Sequence, residues 1–219
     1  MSRYRDVVRS LLIIAALTLA ACPKQYDEPL AVDPSTIAIS AKQTVRTDPV
    51  GDDGKTATFV LVDADNHSNN ELMVVLGGDL LDAHGAVVAH LRPDALRVPP
   101  GGRRTFALVD ENVGARPGAT RANLVVQRAY LPSGPAPVRI TEGHVYDNQG
   151  RAVVAGYVVN DSTHPGKAMV IAGFYDADGK PMTRPWTIYE IGAGQKRAAQ
   201  FVGPPGSKSA YIFVGESVF

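Results

Sequence analysis

One thiol, five imidazoles and a few carboxylates, serines and aromatics are the side chains of this chain that invite a chemical reading. The histidines His67, His84, His90, His144 and His164 never stand at a metal-ligand spacing such as His-x-x-x-His. They read as solvent-exposed residues, with His67, His84 and His164 in turns. Asp63, Asp65 and Asn66 match the first oxygen positions of a calcium loop. The sixth place is Ser68 where a glycine must turn the chain, and the twelfth is Val74 where a glutamate must close the site. No metal is expected at any of these positions. Gly206-Ser-Lys-Ser209 follows two prolines and reads as a turn, not as the strand-to-helix elbow that presents a nucleophilic serine. Glu142, Glu190 and Glu216 would have to pair across strands to serve as acid and base, and isolated surface carboxylates are the commoner arrangement. Trp186, Tyr189 and Tyr175 form a candidate contact surface, since aromatic side chains dominate binding hot spots. Trp186 has a second reading, as the apolar plug of a β-sandwich, and that placement is the one expected.

The thiol is a different matter. Cys22, the only cysteine, follows Leu19, Ala20 and Ala21. Before it, Arg3, Arg5 and Arg9 make a basic start and residues 11 to 21 an apolar run of eleven, a signal-peptide pattern too short to span a bilayer, which takes roughly 20 apolar residues. The four residues 19 to 22 resemble the lipobox of bacterial lipoproteins. That resemblance implies diacylglycerol on the Cys22 sulfur, cleavage before Cys22 and usually an acylated new amino terminus. The alternative is ordinary secretion with cleavage after Ala20 or Ala21. Cleavage after Ala21 would put the bulky Leu19 where a small residue is wanted, whereas cleavage after Ala20 puts Thr18 there. Two or more acyl chains, at about 0.8 kcal/mol per buried CH₂, hold a protein durably. With Cys22 lipidated no disulfide can form, so the body must be held by packing alone. Pro23 stands where the best-known sorting rule has the aspartate that retains lipoproteins in the inner membrane. The expected location is therefore the cell envelope, lipid-anchored, at the outer membrane facing the periplasm.

Charge narrows the partners. Lys and Arg balance Asp and Glu at 22 each, and loss of residues 1 to 21 removes Arg3, Arg5, Arg9 and Asp6, leaving 19 basic and 21 acidic side chains, a net of about −2. Nucleic-acid binding depends on clustered basic residues, and a mildly acidic body has no such electrostatic footprint, so nucleic acid is not expected as a partner.

The elements that must position these residues are strands. Hydrophobic residues are 45% and charged residues 20% of the chain, with 21 glycines and 16 prolines spread between apolar runs, the composition of a packed body with many turns. Residues 22–36 hold three prolines and read as an extended tether. Pro132-Ser-Gly-Pro-Ala-Pro137 divides the remainder into residues 37–131 and 138–219. These halves repeat each other. Asn66 and Asn160, and the turns Asp82–Gly85 and Asp176–Gly179, keep an offset of 94 residues. Asp53-Gly54-Lys55 before Thr58 answers Gln149-Gly150-Arg151 before Val153, Gly102–Phe106 answers Gly194–Phe201, and Asn123–Tyr130 answers Tyr211–Val218. In the second half Val153, Ala155, Tyr157 and Val159 alternate on one strand, and Met169, Ile171, Gly173 and Tyr175 on the next. The opposite faces are also apolar, as in strands covered on both sides. The Asp-x-x-Gly turns suit tight hairpins, because Asp bonds the following backbone and Gly accepts a left-handed conformation. The expected fold is all-β: two tandem Ig-like β-sandwiches after a cleaved signal peptide (1–21) and a lipidated, Pro-rich tether (22–36).

From Ile140 to Val218 the chain resembles the YcfL-like periplasmic lipoproteins, and more weakly the FxLyD modules. The features that carry this are Val159-Asn160, Phe174 to Gly179, Pro185-Trp186, Ala198 to Val202, Pro204-Pro205 and Ala210 to Val214. The resemblance implies an Ig-like envelope lipoprotein with no catalytic residue or cofactor to carry over. The expectation is a non-enzymatic lipoprotein that binds or scaffolds another envelope protein. Its rivals are a structural spacer or small-ligand module, and a hydrolase at the junction near Pro132 to Pro137. The partner's identity and the oligomeric state are not written in these residues.

Overall fold

The computed structural model describes residues 29–50 and 55–218. The expected signal peptide, the lipobox-like Leu19-Ala20-Ala21-Cys22, the first part of the expected tether and Asp53-Gly54 lie outside the described residues. Two tandem β-sandwiches make up the rest. In the first, β1 (Ile37–Val50), β2 (Lys55–Asn66) and β5 (Arg103–Val109) form one sheet in the order β1-β2-β5. It faces a second sheet of β3 (Leu72–Leu81), β4 (Val87–Val98) and β6 (Arg121–Tyr130) in the order β4-β3-β6. In the second, β7 (Val138–Asn148), β8 (Arg151–Asn160) and β12 (Lys196–Val202) form the sheet β12-β8-β7. Opposite them β9 (Gly166–Tyr175) is flanked by β13 (Ser209–Val218) on one side and by β10 (Pro181–Thr183) and β11 (Trp186–Ile191) on the other. Every strand pairing is antiparallel, and the two topologies agree in an Ig-like arrangement, three strands against three in the first sandwich and three against four in the second, where β10 and β11 together flank β9 as β4 flanks β3.

Alternation builds the cores. On β2 the residues Val60, Val62 and Ala64 point inward, on β3 Leu72, Val74 and Leu76, and they close on Phe106 and Leu108 of β5. On β8 and β9 the inward residues are Val154, Val158, Val170, Ala172 and Phe174. Burial of side chains of this size stabilises by about 1.5–3 kcal/mol each, which lets both halves stand without a disulfide.

The repeat is exact in its fastenings. Asn66 is fully buried at the end of β2, where its amide donates to the carbonyls of Asn70 (2.8 Å) and Val98 (3.0 Å) and its oxygen accepts the Ser68 N–H (2.9 Å). Asn160 does the same with His164 (2.8 Å), Ile191 (3.3 Å) and Ser162 (2.8 Å), and adds a bond to the Gly192 carbonyl (3.0 Å). In both hairpins the first Asp accepts two backbone N–H groups, from His84 and Ala86 and from Asp178 and Lys180, and the Gly takes a φ of 88° or 73°.

Strand register corrects one part of the sequence alignment. Phe201 faces Val154 as Leu108 faces Val60, and Gly194 turns with φ 64° as Gly101 does with 63°, so β5 and β12 correspond at an offset of 93. Gly102–Phe106 therefore answers Gln195–Ala199, and Phe106 corresponds to Ala199, not to Phe201. The phenylalanines differ by two positions because each lies inward on its own strand, and period-two alternation keeps the match in phase. The match of Asn123–Tyr130 to Tyr211–Val218 holds in the register, down to a bulge at the same place in both strands.

The tether is also shorter than residues 22–36. Val32 N–H donates to Ala129 (2.9 Å), Leu131 N–H donates to Leu30 (3.0 Å), and Pro34–Thr36 form a 3₁₀ turn capped by Asp33. From Leu30 onward the chain is stitched to the β6 edge.

Candidate functional site

The odd-numbered face of β9 decides how the halves meet. Met169, Ile171, Gly173 and Tyr175 point away from the second core, and the first sandwich covers much of that face. Ile171 of β9 and Phe213 of β13 belong to the first sandwich's core cluster, with Met169 and Tyr211 packed beside them. This face is apolar because it is an internal interface, which fulfils the expectation of strands covered on both sides.

Polar groups lock the interface. Tyr175 donates its hydroxyl proton to Asp63 Oδ1 of β2 (2.8 Å), and its oxygen lies 2.6 Å from Thr105 Oγ1 of β5. Thr105 must then donate to Tyr175 and accept from Tyr211, 2.7 Å away, so the relay ends on the carboxylate. Burial pushes the Asp63 carboxyl above the usual aspartate range, against the lowering effect of the bond from Tyr175. Burial likewise raises both phenols, Tyr211 to about 12 and Tyr175 further, so both are neutral donors. Arg103 grips Asp65 with two nitrogens, at 2.7 and 3.1 Å, at the rim. From β1, Lys42, Thr44 and Arg46 donate to the carbonyls of Asp178, Pro181 and Met182, and Arg184 lies 3.5 Å from Asp94. A Cβ on Gly173 would come within 2.6 Å of Thr105 Oγ1, so the backbones approach as closely as glycine permits.

Beside this lock lies a cleft of about 750 Å³ that reaches the connection between the halves. Met73, Ile140 and Phe213 give it apolar walls, and Glu71, Arg97, Arg104 and Glu216 give it charge. Glu71 is paired with Arg97 at 2.9 Å, and Arg97 also donates to the Gly134 carbonyl in the connection. Arg104 lies over the Phe213 ring, 4.8 Å from its centroid, and its buried Nε has no hydrogen-bond partner. Burial lowers the pKa of its guanidinium. Such a group suits an anionic ligand atom; among the described residues the cleft walls carry no histidine to act as a base.

The structure separates the candidate contact residues. Tyr175 is only 6% exposed and serves the interface, so it is no part of an outer contact surface. Trp186 is not the plug of the second sandwich. It is 55% exposed on β11, and the core it was expected to fill is closed by Phe174, Phe201 and Ile191. Ile188, which sequence reasoning passed over, is 52% exposed on the same face of the same strand. Trp186 pairs with Ile171 and Ile188 with Met169, so their stripe continues the face on which the first sandwich sits. Tyr189 points the other way, half-buried against the second core. Arg197 donates to the Glu190 carbonyl (2.6 Å), which blunts part of the free β11 edge and leaves side chains as its means of contact. The glutamates are not brought together: Glu142 pairs with Lys196, Glu190 with Lys167 at 2.7 Å, and Glu216 lines the cleft. All five histidines are exposed. Among the described residues no three His, Cys, Asp or Glu side chains are grouped to hold a metal, and no helix is long and apolar enough to cross a membrane.

No protein-family model and no curated protein matches this chain. Among solved structures it is similar to the N-terminal CBM22-1-CBM22-2 tandem domain of Xyn10C from Paenibacillus barcinonensis. Identity is 8% with a TM-score of 0.14, over 86% of this chain and 91% of that one.

Proposed function

We propose that this protein is a non-catalytic lipoprotein of the cell envelope, anchored through Cys22 at the outer membrane, whose two sandwiches form one rigid body that presents an aromatic stripe to another envelope protein. The observation that carries this reading is the pair Trp186 and Ile188. Two large apolar side chains, each more than half exposed and adjacent on one strand face, lose solvated apolar surface only when something covers them. Tryptophan is also the side chain most enriched at binding hot spots. The lock at Asp63, Thr105 and Tyr175 supports the reading because it fixes the stripe relative to the tether, so little orientational freedom is lost on binding. The leader, the four lipobox residues and the likeness to YcfL-like lipoproteins support the anchor.

A photo-crosslinking side chain at position 188, activated in intact cells and followed by mass spectrometry, tests this. One reproducible protein partner is expected, with its yield reduced by Trp186→Ala and unchanged when the probe is moved to Pro205 on a remote turn. Capture of abundant porins and lipid alone, equal from both positions, refutes it.

One observation favours a second reading, a small-ligand module. Arg104 faces the junction cleft with an unpartnered Nε above apolar walls, an arrangement that suits an acidic group on an apolar body. Dodecyl phosphate as probe would then raise the melting temperature of the wild type and leave Arg104→Gln unchanged.

A further inference from the structure

We propose that copies of this chain associate head to tail, the outer face of the β7-β8-β12 sheet of one copy covering the outer face of the β4-β3-β6 sheet of the next. The argument starts from the junction inside the chain. There the first sandwich offers the outer face of β1-β2-β5 and the second offers the outer face of β9, β10 and β13. Because the sandwiches are repeats, each type of face occurs twice in the chain, and the internal contact uses each once. A contact between two different faces, with one of each left over, is heterologous and can be repeated by another copy, giving a ring if the rotation closes and a filament if it does not.

Exposed apolar side chains mark the two leftover faces. On the second sandwich Tyr146 and Val202 flank the fully buried Val153, with Tyr157 further along the same face of β8. On the first, Val87 pairs with Leu81, and Val125 pairs with Gly77, all outside the core. Together with the Trp186 stripe, which is a separate surface, these account for most of the large exposed apolar residues described.

Register gives the contact residue by residue. Tyr157 takes the place of Asp63 and Ala198 that of Thr105, while Leu81 takes the place of Tyr175 and Asn123 that of Tyr211. The carboxylate-to-phenol bond of the internal junction thus becomes a tyrosine-to-leucine contact, a change on both sides that keeps the partners compatible. His144 stands where Thr44 stands, and Val87 where Pro181 stands, so an imidazole faces the carbonyl that a hydroxyl meets internally. One position loosens the fit. Asp79, paired with the exposed His90 at 2.6 Å, occupies the place of Gly173 and forbids the closest approach. The contact between copies is therefore weaker than the internal one and forms where copies are concentrated, as on a membrane surface.

Cysteines at Leu81 and Ala198 in the full-length chain read this out, since Cys22 is common to every sample. Cells co-expressing differently tagged Leu81→Cys and Ala198→Cys chains should give an intermolecular disulfide about tenfold above either single variant. The double variant should give a ladder or a closed ring. Tyr157→Glu, at an exposed position that does not threaten the fold, should abolish both, and Trp186→Ala should leave both intact, which keeps this result independent of the envelope partner. Disulfide no higher for the co-expressed pair than for the singles, or unaffected by Tyr157→Glu, overturns the proposal.

Discussion

Replacing Tyr175 with Phe removes one oxygen and tests how the two sandwiches are held. The ring stays in place against Tyr211, whose centroid is 5.8 Å away, so the packing contribution is nearly unchanged. What is lost is the donor to Asp63 at 2.8 Å and the acceptor for Thr105 at 2.6 Å. A hydrogen bond to a charged group contributes about 1.5–3 kcal/mol and a neutral one about 1 kcal/mol. Asp63 is 2% exposed and cannot recover the loss from water. A destabilisation of about 3 kcal/mol follows, or a fall of about 1 M in the urea midpoint if the slope is about 3 kcal/mol/M. The cost also depends on pH. A carboxyl raised by burial is protonated later in the unfolded chain than in the folded one as pH falls, so its contribution is fully present below 3.8, the ordinary aspartate value, and is lost as pH rises through the folded value. Without Tyr175's hydroxyl the folded value rises further. The gap between wild type and variant should therefore widen as pH rises through that window and shrink toward about 1 kcal/mol below 3.8. Urea unfolding followed by far-UV circular dichroism at pH 3 and pH 7 measures both numbers. A variant within about 0.5 kcal/mol of wild type at both pH values, the range of ordinary surface substitutions, refutes the buried relay.

Further outcomes follow from the same structure. Asn66→Ala and Asn160→Ala each strand buried carbonyls and should cost about 2–3 kcal/mol by the same unfolding assay; unequal effects would break the equivalence of the two fastenings. Gly173→Val drives a side chain into Thr105 and should replace one cooperative unfolding transition with two, whereas Gly118→Ala, in an open turn, should keep one. Cys22→Ala should release the chain from the membrane fraction, and mass spectrometry of the native protein should find acyl mass at residue 22; a different start or no added mass removes the anchor.

Much of the fold was legible because β-sandwiches write themselves in period two. Val153 to Val159 and Met169 to Tyr175 alternate, the Asp-x-x-Gly hairpins bracket them, and Asn66 and Asn160 share one offset because each fastens the end of a strand in the same way. The failures share a cause as well. Tyr175 has the composition of a surface aromatic, yet its hydroxyl meets Asp63, 112 residues earlier, and no local pattern encodes that contact. The core that composition suggests for Trp186 is filled by Phe174 and Phe201. Its neighbour Ile188 gave a signal that was readable, since two bulky apolar residues two apart on a short strand share a face, but the side of the sheet left uncovered is set by where the other sandwich docks. Nothing in the sequence around Arg104 marks it, because the Phe213 ring it lies over comes from the other sandwich.

The proposed surfaces take their geometry from a single rigid body. Amide ¹⁵N relaxation of the full chain in detergent, compared between β2 with β5 and β8 with β12, measures this directly. One rotational correlation time shared by both sandwiches is the expected result. Two distinct times, each that of a half-sized body, would contradict it and leave the Trp186 stripe without a fixed bearing on the tether.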